Sequence, residues 1–205
     1  MSAVIRPYEA RDLEALYEIC LKTGEAGQDA TGLYDDPRLV GHIYAAPYGV
    51  LSPQTCFVAE DGEGVCGYIV GTDRTFEFEK QCRAEWWPAL RRDIRDPADR
   101  PREAWTADDR LAHLIHHPER TPRAVNEPFP AHLHINLAPR AQGQGLGVRL
   151  IDTWLALMWT LGASGAHLGV APANTRALGF YAATGWSRLP VPWGIVFTKA
   201  RPPVA

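Results

Sequence analysis

Two apolar patterns alternate along the chain and predict a succession of strands and helices. Short runs of alternating or continuous apolar residues predict β-strands, at residues 4–7, 55–60, 65–72, 131–138, 166–170 and 193–199. Apolar residues spaced three and four apart predict amphipathic helices, after Asp12, over about 37–46, and over 145–161 and 174–184. Strands that alternate with helices in this way are typical of an α/β fold.

Residues 75–130, here called the arm, interrupt this pattern. They are rich in arginine and proline, and only 84–94 and 107–116 have helical spacing. A chain of 205 residues is long for one ordinary domain and short for two. We therefore predict one domain over 1–205, with the arm as a helical insertion within it.

Composition argues against several classes of protein. The formal net charge is −3, so no general basic surface favours nucleic acid. No apolar run is long enough to span a bilayer, and no apolar signal core follows the first residues. The cysteines are scattered, which is typical of thiols in a reducing compartment; they are Cys20, Cys56, Cys66 and Cys82. We expect a cytoplasmic protein that binds neither nucleic acid nor membrane.

The most informative stretch leads from a predicted strand through a glycine-rich turn into a strong helix. Its glycines are Gly143, Gly145 and Gly147. The N–H groups of a first helical turn have no partner within the helix, and the positive end of the helix dipole lies behind them. A pyrophosphate fits there, because glycines let it approach the backbone closely. Arg140 and Arg149 are expected to add positive charge at the rim.

Taken alone, this stretch leaves two other interpretations open. One is a strand, turn and helix whose glycines only pack. The other is a nicotinamide-dinucleotide loop, which needs Gly-x-Gly-x-x-Gly and an acidic residue about 20 positions later. The spacing here is Gly143-x-Gly145-x-Gly147, and the nearby acid, Asp152, lies inside the helix. This spacing disfavours the dinucleotide loop.

Two motifs together resemble the GNAT superfamily of N-acetyltransferases. Gln142-Gly143-Gln144-Gly145-Leu146-Gly147 resembles its Gln/Arg-x-x-Gly-x-Gly/Ala signature. Asn174-Thr175-Arg176-Ala177-Leu178-Gly179-Phe180-Tyr181, followed by Gly185-Trp186, resembles its Asn-x-x-Ala-x-x-Phe-Tyr…Gly-Phe segment. Their order and spacing also match, and the joint pattern is more specific than either motif. The resemblance implies an α/β GNAT fold with a mixed central sheet of about six to seven strands, splayed at the cofactor site and flanked by helices; the arm departs from the family's minimal form.

A closer resemblance is to the acetyltransferase-like domain at the C-terminus of eukaryotic O-GlcNAcase and to its free-standing bacterial relatives. It rests on short segments in the first half of the chain: Thr31-Gly32-Leu33-Tyr34, Val40-Gly41, Pro47-Tyr48, Cys56-Phe57-Val58, Cys66-Gly67-Tyr68 and Trp86. The eukaryotic domains are expected to have lost the cofactor signature. This sequence keeps it, which favours cofactor binding.

The resemblance implies that acetyl-CoA is the co-substrate and that an amine attacks its thioester directly. No cysteine lies in the matched motifs, so no acyl-enzyme is expected. Tyr181 stands where the family keeps its general acid for the departing thiolate, and a plain core tyrosine is the alternative. The expected cofactor-binding residues lie on the strand, the turn and the second motif: Ile135, Asn136, Leu137, Gln142, Gly143, Gln144, Gly145, Leu146, Gly147, Val148, Asn174 and Tyr181.

The base and the acceptor site have weaker signals. His134 is a candidate base, acting directly or through water, although a partly buried structural histidine is the commoner case. Asp29 and Asp35 lie in the early loop, where this fold usually meets its acceptor, and are candidate acceptor-side residues for a cationic amine. Solvated loop carboxylates are the alternative.

Two functions of different classes therefore stay open. Intact glycines and Tyr181 favour an acetyltransferase that acts on an amine, either a small molecule or a protein lysine. The lack of an obvious base leaves a non-catalytic acyl-CoA-binding or interaction module as the alternative. No metal is expected, because the spacing of His113, His116 and His117 fits no metal site. A monomer and a homodimer both agree with the sequence.

Overall fold

A seven-stranded mixed sheet forms the centre of the computed structural model, which describes residues 3–191 and 194–203. In space its strands follow the order β1-β2-β3-β4-β5-β7-β6. Their bounds are β1 Val4–Pro7, β2 Phe57–Asp61, β3 Gly64–Thr72, β4 Ala131–Leu137, β5 Gly165–Val170, β6 Ser187–Val191 and β7 Gly194–Ala200. The predicted fold class is confirmed. Trp193, the predicted start of the last strand, and both chain ends (1–2 and 204–205) lie outside the described residues.

Helices flank this sheet, and among the described residues none is long and apolar enough to cross a bilayer. Their bounds are α1 Leu13–Leu21, α2 Leu39–Tyr44, α3 Ala46–Leu51, α4 Thr75–Gln81, α5 Trp87–Leu90, α6 Ala107–His116, α7 Arg123–Asn126, α8 Leu146–Thr160 and α9 Thr175–Ala183. A π-helical segment, Cys82–Trp86, continues α4 into α5.

Side chains of the central strands alternate between two apolar cores, as a pleated strand requires. On β3, Tyr68 and Val70 are buried in the core that also holds α1, α2, α3 and part of the arm. Ile69, between them, is buried in the other core, beneath α8. The protein therefore has the layered arrangement that the alternating pattern predicted.

The sheet opens between its two parallel strands. β4 and β5 pair only at Ala131 with Ala166 and at His132 with His167. From there β5 continues along β7, up to Val170 beside Ile195, without further partners on β4. The later half of β4 is bonded to β3 alone, as far as Leu137 beside Gly67. One edge of this half strand is free to pair with an extended ligand.

Some local predictions were wrong for identifiable reasons. Asp12 does not cap α1 with its side chain; it accepts hydrogen bonds from Arg6 at 2.7 and 2.8 Å and from the Glu9 N–H, because it is buried beside that arginine. The helix predicted over 37–46 is divided into α2 and α3 at Ala45, whose backbone leaves the helical region. β6 was not predicted, because a proline such as Pro190 disfavours a strand inside a sheet. β6 lies at the edge of the sheet, where proline is tolerated.

The arm packs on the core that holds α1. Trp87 is buried there, and Ile115 of α6 is fully buried in the same cluster as Tyr48. Trp86 donates a hydrogen bond from Nε1 to the His42 carbonyl at 2.9 Å. Trp105 instead packs within the arm, against His113. These contacts agree with the proposal of a single domain.

That proposal predicts the result of truncating Ile115 to alanine. Removing a fully buried isoleucine is expected to lower the free energy of unfolding by about 2–5 kcal/mol. If the protein is a single cooperative domain, the free energy that protects the β4 amide protons against hydrogen exchange falls by the same amount, although β4 lies outside the arm. Leu161→Ala, at an exposed leucine, is the control and is expected to change stability by less than about 0.5 kcal/mol. Loss of protection confined to the arm would contradict the single domain.

Candidate active site

The glycine-rich turn after β4 has the backbone geometry that its sequence predicts. Gly143 and Gly145 have φ values of +75° and +73°, in the left-handed region that favours glycine. Gly145 is the N-cap of α8. The side-chain amide of Gln142 donates to the Leu137 carbonyl at 2.7 Å and fixes the turn to the end of β4. The first-turn N–H groups of α8 have no acceptors within the helix. The turn places them close to the end of β4, the strand with one free edge.

A cleft of about 450 Å³ lies between this turn, the free edge of β4 and α9. Almost all of the predicted cofactor-binding residues line it: Ile135, Asn136, Leu137, Gln142, Gly143, Gly145, Leu146, Gly147, Val148, Asn174 and Tyr181. Gln144 is the exception, because its side chain donates to the Arg140 carbonyl at 2.8 Å. The structure thus brings together two motifs that are separated by α8 and β5.

Part of the cleft wall comes from a segment that was not predicted to belong to the site. Thr23 and Gly27 come from the loop after α1, and nothing in the sequence links that loop to the motifs. Asn136 donates a hydrogen bond to the Thr23 hydroxyl, and its Oδ1 accepts one from Tyr68 at 3.0 Å. A side chain at position 27 would lie 3.3 Å from the Asn174 amide nitrogen. Glycine therefore allows the loop to close against α9.

Arg140 and Arg149, which were predicted to add positive charge at the rim, have partners outside the cleft. Arg140 pairs with Asp61 at 3.1 Å, and Arg149 donates to the Ala3 carbonyl at 3.3 Å, so neither lines the cleft. Arg176 does, and it donates a hydrogen bond to the side chain of Gln142. This arginine stands in the first turn of α9, within the second motif, which was its only signal in the sequence.

Tyr181 lies at the inner wall of the cleft and is 5% exposed. Its ring packs against Phe180, Trp186 and Phe197, with centroids 5.2 to 5.7 Å away. No hydrogen-bond partner for its hydroxyl stands among the described residues. Burial raises the pKa of this phenol above its usual value near 10, so the hydroxyl keeps its proton at neutral pH. It is a neutral donor on a residue that lines the cleft.

A second and larger cavity, of about 720 Å³, adjoins the first. Its wall carries four aromatic side chains, Tyr44, Tyr48, Phe78 and Trp87, and three histidines, His132, His134 and His167. The arm closes it with residues 118–122. At two places, residues that are adjacent in the sequence line different cavities. His134 lines the second cavity and Ile135 the first, and Gly24 lines the second and Thr23 the first.

The three histidines differ in their hydrogen bonding. His132 bonds to the hydroxyls of Tyr48 and Thr75, and His167 to the Phe129 carbonyl at 2.7 Å. His134 contacts the Tyr44 and Tyr48 rings, and among the described residues it has no hydrogen-bond partner. Burial, reinforced by nearby His167, lowers the pKa of His134 to about 4. The imidazole is therefore neutral at pH 7 and keeps a lone pair available to a ligand.

The depressed pKa of His134 predicts a loss of stability in mild acid. Between its ordinary value of 6.5 and about 4, the unfolded chain binds a proton that the folded chain excludes, so stability falls as the pH falls through this range. The full shift corresponds to about 3 kcal/mol. Stability from carboxylates with lowered pKa, such as Asp12, is lost below this window.

Urea unfolding at pH 7, 5 and 4 measures this effect. His134→Gln is expected to flatten the pH dependence without abolishing it, because burial also lowers the pKa of His132 and His167. Equal slopes in the variant and the wild type would show that His134 is not held neutral by the fold.

The predicted acceptor-side carboxylates lie elsewhere. Asp29 is exposed and accepts hydrogen bonds from the backbone and hydroxyl of Thr31. Asp35 is also exposed, and its backbone N–H is bound by Asp108 of α6 at 3.1 Å. Neither lines either cavity. The structure therefore brings Tyr181, Asn174 and the turn together but leaves these two aspartates apart from them.

Comparisons with known proteins agree with this site. Residues 5–186 match the model of the acetyltransferase (GNAT) family. The chain is 28% identical to protein O-GlcNAcase of Rattus norvegicus over 183 residues, which are 88% of this chain and 20% of that protein. It therefore spans about a fifth of the length of the curated relatives it matches, and the predicted resemblance to O-GlcNAcase is confirmed.

Solved structures give the same fold. The crystal structure of SsHAT is 36% identical, with a TM-score of 0.89 and 98% of both chains covered. A phosphinothricin acetyltransferase from Sinorhizobium meliloti, in complex with AcCoA, is 15% identical with a TM-score of 0.56, over 98% of this chain and 89% of that one. The second likeness concerns the fold alone. With its matching family model and its similarity to SsHAT, this chain belongs to the acetyltransferase (GNAT) family.

Proposed function

We propose that this protein is an N-acetyltransferase that transfers the acetyl group of acetyl-CoA to an amine. One observation carries the proposal: the first turn of α8 and the free edge of β4 line one cleft, and His134, the residue before that edge, lines a second cavity. A cofactor and an acceptor bound in these two spaces approach each other at one place. The AcCoA complex of the S. meliloti enzyme, which has the same fold, supports the choice of cofactor.

Each part of acetyl-CoA has a matching part of the first cleft. The pyrophosphate binds the amides of Gly143, Gly145 and the first turn of α8, with Arg176 as the nearby cation. Pantetheine extends along Ile135–Leu137, where β5 no longer pairs with β4. A backbone N–H on this edge polarises the thioester carbonyl, and one such donor supplies about 2.7–4 kcal/mol of transition-state stabilisation.

The acceptor amine enters the second cavity. Tyr44, Tyr48, Phe78 and Trp87 line it, and such aromatic side chains suit the alkyl part of an amine. The volume is typical of a site for a small ligand, and it also admits a lysine side chain. The acceptor is therefore defined here by its amine and not by the molecule that carries it.

The proposed reaction is direct attack without an acyl-enzyme. The acceptor ammonium first loses a proton to solvent through water that donates a hydrogen bond to the His134 imidazole, which the fold keeps neutral. The amine lone pair then attacks the thioester carbon, the nitrogen of the tetrahedral intermediate gives its second proton to water, and the carbon–sulfur bond breaks. The thiolate takes a proton from the hydroxyl of Tyr181, a residue that lines the cleft. A proton from solvent then restores the Tyr181 hydroxyl.

A thiol-release assay over a panel of small amines and lysine peptides, combined with calorimetry of acetyl-CoA binding, tests the proposal. We expect binding and, for at least one acceptor, turnover that saturates with its concentration. Binding without turnover over the whole panel would favour the non-catalytic acyl-CoA-binding module. No binding at all would overturn the cofactor assignment.

A further inference from the structure

A cluster of histidines and one carboxylate lies at the end of α6, outside both cavities. His113 and His117 are four residues apart, so they share one face of the helix end, and their ring centroids are 4.4 Å apart. Asp96 reaches them from the loop between α5 and α6, with Oδ2 at 2.7 Å from Nε2 of His117. One ligand atom from each of the three residues lies within 4.8 Å of the others.

The surroundings of this cluster leave one buried nitrogen unused. Nδ1 of His113 is buried and has no hydrogen-bond partner among the described residues. Arg102 lies 3.5 Å from Nε2 of the same ring and is held over Trp105. His116 is engaged elsewhere, since its Nε2 is 2.7 Å from the Ile94 carbonyl. Asp96 and His117 therefore satisfy each other with a hydrogen bond. The buried Nδ1 of His113 has no partner among the described residues.

We propose that Asp96, His113 and His117 bind a divalent transition metal, with zinc as the ion that fits best. Imidazole nitrogens and a carboxylate oxygen are ligands that zinc takes at about 2.0–2.2 Å. Three protein ligands leave a fourth tetrahedral position for water. A tetrahedral site separates its ligand atoms by about 3.4 Å, so on binding Asp96 and His117 move apart from 2.7 Å, and His113 adjusts within the 4.8 Å that now encloses the three atoms. Histidine spacing along the helix did not reveal the site, because the third ligand comes from a separate loop.

Such an ion has a structural consequence for the proposed acceptor cavity. It ties the loop 95–106 to the C-terminal end of α6, where His117 is the C-cap. The next residues, 118–122, line the second cavity. Metal binding would thus hold the arm in the position where it closes that cavity. The site itself contains no cavity residue, so it is distinct from the acetyl-transfer site.

Zinc chloride titrated into the chelator-treated full-length protein, followed by calorimetry, tests the proposal. We expect one equivalent to bind and the Tm to rise with zinc concentration, because a ligand of the folded state stabilises it. His113→Gln and His117→Gln each remove a ligand. Even loss of an outer-shell partner weakens metal sites by about 10–100-fold, so each variant is expected to lose at least that much affinity.

Asp96→Asn and Asp99→Asn form a matched pair. Asparagine at position 96 still accepts the hydrogen bond that Asp96 takes from the Ala98 N–H, so the loop is expected to fold. Asp99 is an exposed carboxylate of the same loop and lies outside the cluster. We expect D96N to lose zinc binding and D99N to keep it. Absence of stoichiometric zinc binding, or equal binding by D96N, H117Q and the wild type, would overturn the proposal.

Discussion

Replacing Tyr181 with phenylalanine is expected to lower kcat by about 10²–10⁴-fold and to leave acetyl-CoA affinity nearly unchanged. Tyr181 lines the cleft, and its ring is held by Phe180, Trp186 and Phe197. Phenylalanine keeps these ring contacts and removes only the donor. An interaction made with the departing thiolate is stronger in the transition state than in the ground state, so its loss lowers kcat and kcat/KM together.

Burial of Tyr181 adds a prediction about pH. Its pKa is raised above the usual value near 10 because the phenolate is desolvated. The proton donor therefore remains protonated across neutral and mildly alkaline pH. We expect no alkaline loss of kcat from this group below about pH 10, and steady-state rates between pH 7 and 9.5 check this.

The control for Tyr181 is Tyr8→Phe. Tyr8 is also a buried tyrosine, but it belongs to the other core and lines neither cavity. Its variant reports what the loss of a buried hydroxyl does to the fold alone. With an acceptor whose chemical step limits the rate, a Tyr181→Phe enzyme as fast as the Tyr8→Phe enzyme would show that Tyr181 is a packing residue.

The parts of the site that the sequence predicted well are those fixed by local backbone requirements. Gly143 and Gly145 have positive φ, so the turn needs glycine whatever surrounds it. Asn174 caps α9 by accepting from the Ala177 N–H at 3.0 Å, which its position before the helix predicts. Both features are encoded within a few residues, and the family motifs coincide with them.

The parts that the sequence could not predict depend on contacts between distant segments. Thr23 reaches Asn136 only because the loop after α1 folds over the free edge of β4. Arg140 was expected beside the phosphates, yet the hairpin between β2 and β3 places Asp61 within its reach. The neutral state of His134 depends on burial by several elements. None of these partners follows from spacing along the chain.

Gly145→Glu is expected to abolish high-affinity binding of acetyl-CoA. A side chain at this position meets nothing within 4 Å in the free protein, so it enters the open space of the cleft where the pyrophosphate is proposed to bind. Its carboxylate also repels the phosphates, by about 4 kcal/mol for two unit charges 4 Å apart at an effective dielectric constant of about 20. Since about 1.4 kcal/mol corresponds to a tenfold change in Kd, we expect a loss of about 10²–10³-fold in calorimetry.

Backbone strain has to be separated from the loss of the site, and the two ends of α8 make this possible. Gly145 has a φ of +73°, so glutamate there also costs about 1–2 kcal/mol of stability. Gly162, just beyond the other end of the helix, has a φ of +90° and equally open surroundings, but it lies outside the cleft. Gly162→Glu therefore imposes a similar strain and the same charge away from the proposed phosphates.

We expect G162E to lose stability but to keep its affinity for acetyl-CoA. G145Q, which has no charge, is expected to bind acetyl-CoA more tightly than G145E and with a smaller dependence on salt. Equal affinity of G145E and G162E for acetyl-CoA would show that the turn does not hold the pyrophosphate.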